Sequence, residues 1–125
     1  MRNMLPRWRS TVVFHENLRI RVFLYIFYIK LQISYKMFNK YLVEFLGTCF
    51  LVFVILATGN PLAIGAGLAL AMLLTKDISG GHINPAVSVV MASLGKLPVQ
   101  ELIPYVLAQV FGALVALEIF KRTMA

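Results

Sequence analysis

The chain has 125 residues, 60% of them hydrophobic, and a formal net charge of +7; its mean hydropathy is +0.82. That length bounds it to one domain, and that apolarity excludes an ordinary soluble core and points to a membrane with lipid as its surroundings. Eight of the 12 Lys and Arg residues precede the first long apolar run: Arg2, Arg7, Arg9, Arg19, Arg21, Lys30, Lys36 and Lys40. Membrane topology accounts for such a bias, because basic residues stay preferentially on the cytoplasmic side, so no nucleic-acid partner is inferred.

Residues 1–36 read as a basic N-terminal extension. Val22 to Ile29 is apolar and aromatic but only eight residues long, too short to span. From Ile29 to Met37 apolar and polar residues alternate, a strand-like period. No small-residue cleavage site follows, which argues against a secretory signal. Three readings stay open: an interfacial basic segment, a disordered arm, or sequence upstream of a true start at Met37. Residues 37–125 then form the membrane domain.

The first span is expected from Phe38 to Thr58. It contains a carboxylate, Glu44, which costs on the order of 2–3 kcal/mol in a span unless it finds donors inside the bundle. Cys49 is the chain's one cysteine and reads as a small hydrophobe. Gly59-Asn60-Pro61 makes a short turn. A second span follows from Leu62 to Lys76, in which Gly65 with Ala69 and Gly67 with Ala71 form small-xxx-small pairs that allow close helix approach. Lys76-Asp77 marks an interface, with the two charges paired in solvent or Asp77 capping backbone.

The stretch Ser79-Gly80-Gly81-His82-Ile83-Asn84-Pro85-Ala86-Val87-Ser88 is polar and turn-rich. Gly80-Gly81 lets the chain turn back. Asn84 is a helix N-cap and Pro85 suits the first helical position. The helix they open, Ala86 to Leu94, meets Gly95-Lys96-Leu97-Pro98 after about 11 residues, roughly 16 Å, about half of a ~30 Å hydrocarbon core. Such a helix is tolerated in a membrane only where it lines a cavity. A third span is expected from Leu102 to Phe120, with Pro104 in its first turns and Gln109 bonded across helices. The fold class is therefore all-α: three transmembrane helices and one re-entrant half-helix. The ionisable groups Glu44, Asp77 and His82 lie on separate segments without a nucleophile–base pattern, so no enzyme, metal site or cofactor is expected.

Those ten residues resemble the first signature loop of the aquaporin and glycerol-channel (major intrinsic protein) family. Glu44-Phe45-Leu46-Gly47-Thr48 is similar to the family's opening helix, and Tyr105-Val106-Leu107-Ala108-Gln109-Val110-Phe111-Gly112-Ala113 to its third. The resemblance runs from Met37 to about Lys121. It implies a pore loop of Gly80, Gly81, His82, Ile83, Asn84, Pro85 and Ala86, with His82 in a cytoplasmic vestibule. It implies loop support by Glu44 and Gln109, and a selectivity position at Ile64. Ile64, Val87 and Val90 would form an apolar pore wall.

The family's mechanism follows as an expectation. The half-helix N-terminus carries about half a positive charge and repels cations. The Asn84 amide donates to a passing oxygen, and carbonyls from Gly80 to Ile83 accept its hydrogens. Water or small neutral solutes fit this, ions do not. The family, however, has six spans and two such loops, related by an inverted repeat, and this sequence has one Asn-Pro-Ala. The expectation is a multi-pass membrane half-channel in contact with lipid, N-terminus cytoplasmic. Either an inverted homodimer or a separate second half-channel would close it. The competing expectation is a non-conducting truncated fragment or regulatory membrane subunit.

Overall fold

A computed structural model describes the backbone of residues 7–124 and the side chains of residues 18–124. Arg2 and the side chains of Arg7 and Arg9 lie outside the described residues. Four helices follow in order: α1 (Arg7–Thr58), α2 (Pro61–Ser79), α3 (Pro85–Ser93) and α4 (Val99–Thr123). Among the described residues there is no strand. Among the described residues three segments are long and apolar enough to cross a membrane: Leu18–Thr58, Pro61–Ser79 and Val99–Thr123. The chain is thus an all-helical membrane fold with three helices of spanning length and one short helix.

The chain divides into two units, Met1–Lys36 and Met37–Ala125. In the first, the alternating stretch is helical rather than extended. An extended segment needs a neighbouring strand to pair its N–H and C=O groups, whereas a helix pairs them internally. No proline or glycine interrupts residues 7–46 to favour the alternative. Phe23, Tyr25 and Tyr35 are exposed on this helix.

In the second unit each helix boundary has a local cause. Asn60 caps α2: its Oδ1 accepts from the N–H groups of Leu62 at 2.9 Å and Ala63 at 3.3 Å, and Pro61 follows at the first position. The expected turn is therefore a helix cap of the same Asn-Pro type as Asn84-Pro85. Gly80, at φ +92°, ends α2 and donates its N–H to the Lys76 carbonyl at 3.0 Å, the left-handed cap that glycine adopts without strain. Between α3 and α4, Met91 O accepts from both Lys96 N and Leu97 N. Glu101 lies in the first turn of α4 and Lys121 and Arg122 in the last, each favourable toward the helix dipole.

Close packing uses the small residues selectively. Gly67 is buried against Val54 and Phe50 of α1, while nothing lies within 4 Å of the Gly65 Cβ position. Of the two small-residue pairs in α2, the one containing Gly67 thus packs against α1. Gly112 of α4 sits directly on the Phe45 carbonyl of α1 and leaves no room for a Cβ. An ion pair also joins these helices: Lys40 Nζ lies 3.1 and 3.2 Å from the two Glu101 carboxylate oxygens. Asp77 forms no ion pair with Lys76, since adjacent helical residues project to different sides.

Candidate functional site

The loop from Gly80 to Asn84 is held in an unusual backbone conformation. Gly80, Gly81 and Ile83 have φ of +92°, +63° and +53°. Glycine adopts this region freely; a β-branched residue pays about 1–2 kcal/mol there. Ile83 is kept by two contacts. Its side chain is buried against Gly47, where a Cβ would stand 3.3 Å from Ile83 Cδ1. Its N–H donates to Glu44 Oε2 at 2.6 Å.

Glu44 is the anchor of the whole loop. It is 0% exposed, and its two oxygens accept four hydrogen bonds. Oε1 accepts from Ser79 Oγ at 2.6 Å and His82 N at 2.9 Å. Oε2 accepts from Ile83 N and from Gln109 Nε2 at 2.9 Å. A buried carboxylate is tolerated when its acceptor sites are filled in this way. The network continues outward. Gln109 Nε2 also donates to Ser88 Oγ at 2.8 Å, and His82 Nδ1 lies 3.1 Å from the same oxygen. Tyr105 Oη donates to the Ser79 carbonyl at 2.6 Å. Residues of α1, α2, the loop, α3 and α4 thereby share one buried polar cluster.

Past this cluster α3 begins. Asn84 Oδ1 accepts from Ala86 N at 2.9 Å, and Pro85 takes the first helical position. Nine residues of helix extend about 14 Å, less than half of a ~30 Å apolar layer. Asn84 itself is exposed. Among the described residues no N–H or O–H donates to the carbonyls of Gly80, Gly81, His82 or Ile83.

Two hollows meet at Asn84. One, of about 180 Å³, is lined by Gly80, Gly81, His82, Asn84 and Val87 with Leu51, Leu68 and Met72. The other, of about 310 Å³, lies at the tip of α3 between α1 and α4, where Thr48, Ile83, Asn84, Pro85 and Gln109 contribute. The structure thus brings the loop residues and Val87 together. Ala86 is exposed in the first turn of α3. Ile64 is half-buried on α2 and Val90 exposed on α3; neither lines either hollow.

With this geometry in view, comparison with known proteins is specific. The chain matches the major intrinsic protein family over residues 31–125. It belongs to that family. The match begins six residues before Met37, earlier than the motifs alone indicate. A glycerol uptake facilitator protein-like 6 of Lactiplantibacillus plantarum is 44% identical over 87 residues, covering 62% of this chain and 40% of the relative. An aquaporin Z of Brucella melitensis is 48% identical over 95 residues, covering 64% and 42%. An aquaporin Z of Rhodopseudomonas palustris is 38% identical over 93 residues, covering 62% and 39%. The chain thus spans about two fifths of the length of these curated relatives. Major intrinsic proteins are channels rather than enzymes.

Sequence reasoning did not single out Ser88, Ser79 or Tyr105 as loop supports. Ser88 is wholly buried in a helix that otherwise reads as apolar. No local signal marks it, because its partners Gln109 and His82 come from other segments.

Proposed function

We propose that residues 37–125 form one half of a membrane channel for water or small neutral solutes of glycerol size, and that the pore closes only with a second half. One observation carries this reading: a nine-residue helix starts at an exposed Asn84 beside a hollow of about 180 Å³, its loop locked by Glu44. The aligned peptides of α3 place about half a positive charge at that tip, disfavouring cations. The Asn84 amide nitrogen supplies two donor hydrogens, since its Oδ1 is committed to Ala86. The loop carbonyls supply acceptors. A neutral molecule with oxygen and hydrogen to exchange matches both.

The need for a second half is supported by Asn84, which is exposed at the tip of α3: an amide left against hydrocarbon is unfavourable and suits a second wall facing it. The source of that wall depends on orientation. Within residues 37–125, Lys40, Lys76 and Lys96 stand on one side and Lys121 and Arg122 on the other, a bias of three to two. That is weak enough for both insertion directions, hence an inverted homodimer. With residues 1–36 attached, the basic residues before the span fix the N-terminus on the cytoplasmic side, and a separate half-channel must supply the rest. Val87, not a basic residue, follows Asn-Pro-Ala, so a homodimeric pore discriminates weakly against glycerol or urea.

The test is liposome shrinkage under an osmotic step, using purified protein starting at Met37 with dimers verified by cross-linking. Shrinkage well above that of lipid alone, retained with glycerol as the permeant, is the expected result. A rate equal to lipid alone removes the homodimeric pore and favours a non-conducting subunit.

A further inference from the structure

Ser88 sits at the middle of the buried network, and the direction of each hydrogen bond around it can be worked out from Glu44. A carboxylate offers acceptors only. Gln109 must therefore turn its amide nitrogen toward Glu44 Oε2, at 2.9 Å. The second hydrogen of that nitrogen points to Ser88 Oγ at 2.8 Å. Ser88 Oγ then accepts from Gln109 and has one hydrogen of its own to place. Its two neighbours are His82 Nδ1 at 3.1 Å and Gln109 Oε1 at 3.2 Å. Giving that hydrogen back to the amide that is already donating bends both bonds away from linearity, because the two amide atoms share one carbon. His82 Nδ1 is the better acceptor, shorter and with no competing bond. A ring nitrogen that accepts carries no hydrogen, so the other one does.

We infer that Ser88 fixes His82 as the neutral tautomer with its hydrogen on Nε2, which makes His82 a hydrogen-bond donor in the wall of the loop-side hollow. Nε2 has no protein partner, yet among the described residues the buried side-chain atom left without one is Thr48 Oγ1. Nε2 is thus open to the 180 Å³ hollow that His82 lines. Gly80, Gly81 and Asn84 line the same hollow, so their unpaired carbonyls and the Asn84 amide stand near it. Donors and acceptors share this hollow, which suits solutes bearing both, such as water, polyols and amides. Ser88 touches no solute in this scheme; it is a positioning residue that acts through His82. The tautomer stands on the geometry of the half-chain alone, while its role in solute passage rests on the channel reading.

The test is ¹⁵N magnetic resonance of histidine-labelled full chain in lipid bilayers. His15 is the chain's other histidine, and the His82→Gln spectrum assigns the signals. The expected result is an unprotonated Nδ1 and a protonated Nε2 at His82. Ser88→Thr keeps the hydroxyl and should keep that pattern; Ser88→Ala should give a mixture of both tautomers. A hydrogen on Nδ1 of the unsubstituted chain overturns the assignment, and so does an unchanged spectrum in Ser88→Ala. If the alanine variant fails to fold, the unsubstituted and threonine spectra still decide. A chain that shows the Nε2–H form and yet passes no solute with its second half present defeats the channel reading and leaves the role of Ser88 standing.

Discussion

Replacing Glu44 by alanine is expected to lower stability by about 3–5 kcal/mol, among the largest effects a single substitution produces. Four donors lose their acceptor at once: Ser79 Oγ, His82 N, Ile83 N and Gln109 Nε2. Ser79 has a fallback in the Thr75 carbonyl at 3.3 Å, but the two backbone N–H groups have none. The left-handed Ile83 backbone also loses the bond that offsets its strain. Glu118→Ala is the contrast. Its pairing with Arg122 at 2.9 Å is between exposed groups, worth at most about 0.5 kcal/mol. Helix loss followed by circular dichroism in detergent, on heating or in denaturant, compares the two. Equal melting of Glu44→Ala and Glu118→Ala contradicts the anchoring role.

Gly112→Ala should cost about 1–3 kcal/mol, as overpacking does in a tight core. The Cβ meets the Phe45 carbonyl, and the next atoms are the Phe45 carbon and Cys49 nitrogen, at 3.1 and 3.2 Å. All are backbone, so no rotamer change relieves the contact and α4 must move off α1. That movement stretches the Gln109–Glu44 bond and the Lys40–Glu101 pair together. Gly65→Ala, with open space at its Cβ position, should leave the melting curve almost unchanged. The same circular dichroism comparison checks both, and equal shifts for the two glycines would show that α1 and α4 are not in contact.

Much of the second unit was legible because its punctuation is local. Thr58-Gly59-Asn60-Pro61, Gly80-Gly81 and Asn84-Pro85 stop and start helices through their own backbone preferences, whatever surrounds them. The spans came out shorter than the helices, since apolarity marks what lipid covers while helices continue through polar ends such as Lys76–Ser79. Within residues 18–36 the strand-like alternation from Ile29 is overturned, since that stretch is helical. Arg21 and Lys30 bracket eight apolar residues, which looks like a segment too short to span, but a charge ends a membrane-buried stretch without ending a helix.

The polar cluster was legible only in part. Glu44 and Gln109 attract notice as polar groups inside apolar runs, each by itself, and the family resemblance suggests what they support. Nothing local joins them: they are 65 positions apart and meet at 2.9 Å. Ser88 drew no attention because serine is unremarkable on a short helix until its neighbours are known. Lys40 and Glu101, 61 positions apart, likewise become a partner pair only when α1 lies against α4.

The central claim is that α3 stops inside the bilayer with Asn84 near its middle. Spin-label depth measurement tests it most directly. Single cysteines replace the exposed residues Ala86, Val90 and Leu94 in a Cys49→Ala background, and each labelled protein is reconstituted in lipid. The account predicts that the label at position 86 lies deepest, close to the bilayer centre, and that the one at 94 is about 12 Å shallower. Three labels at one shallow depth would place the helix flat on the surface and contradict the account.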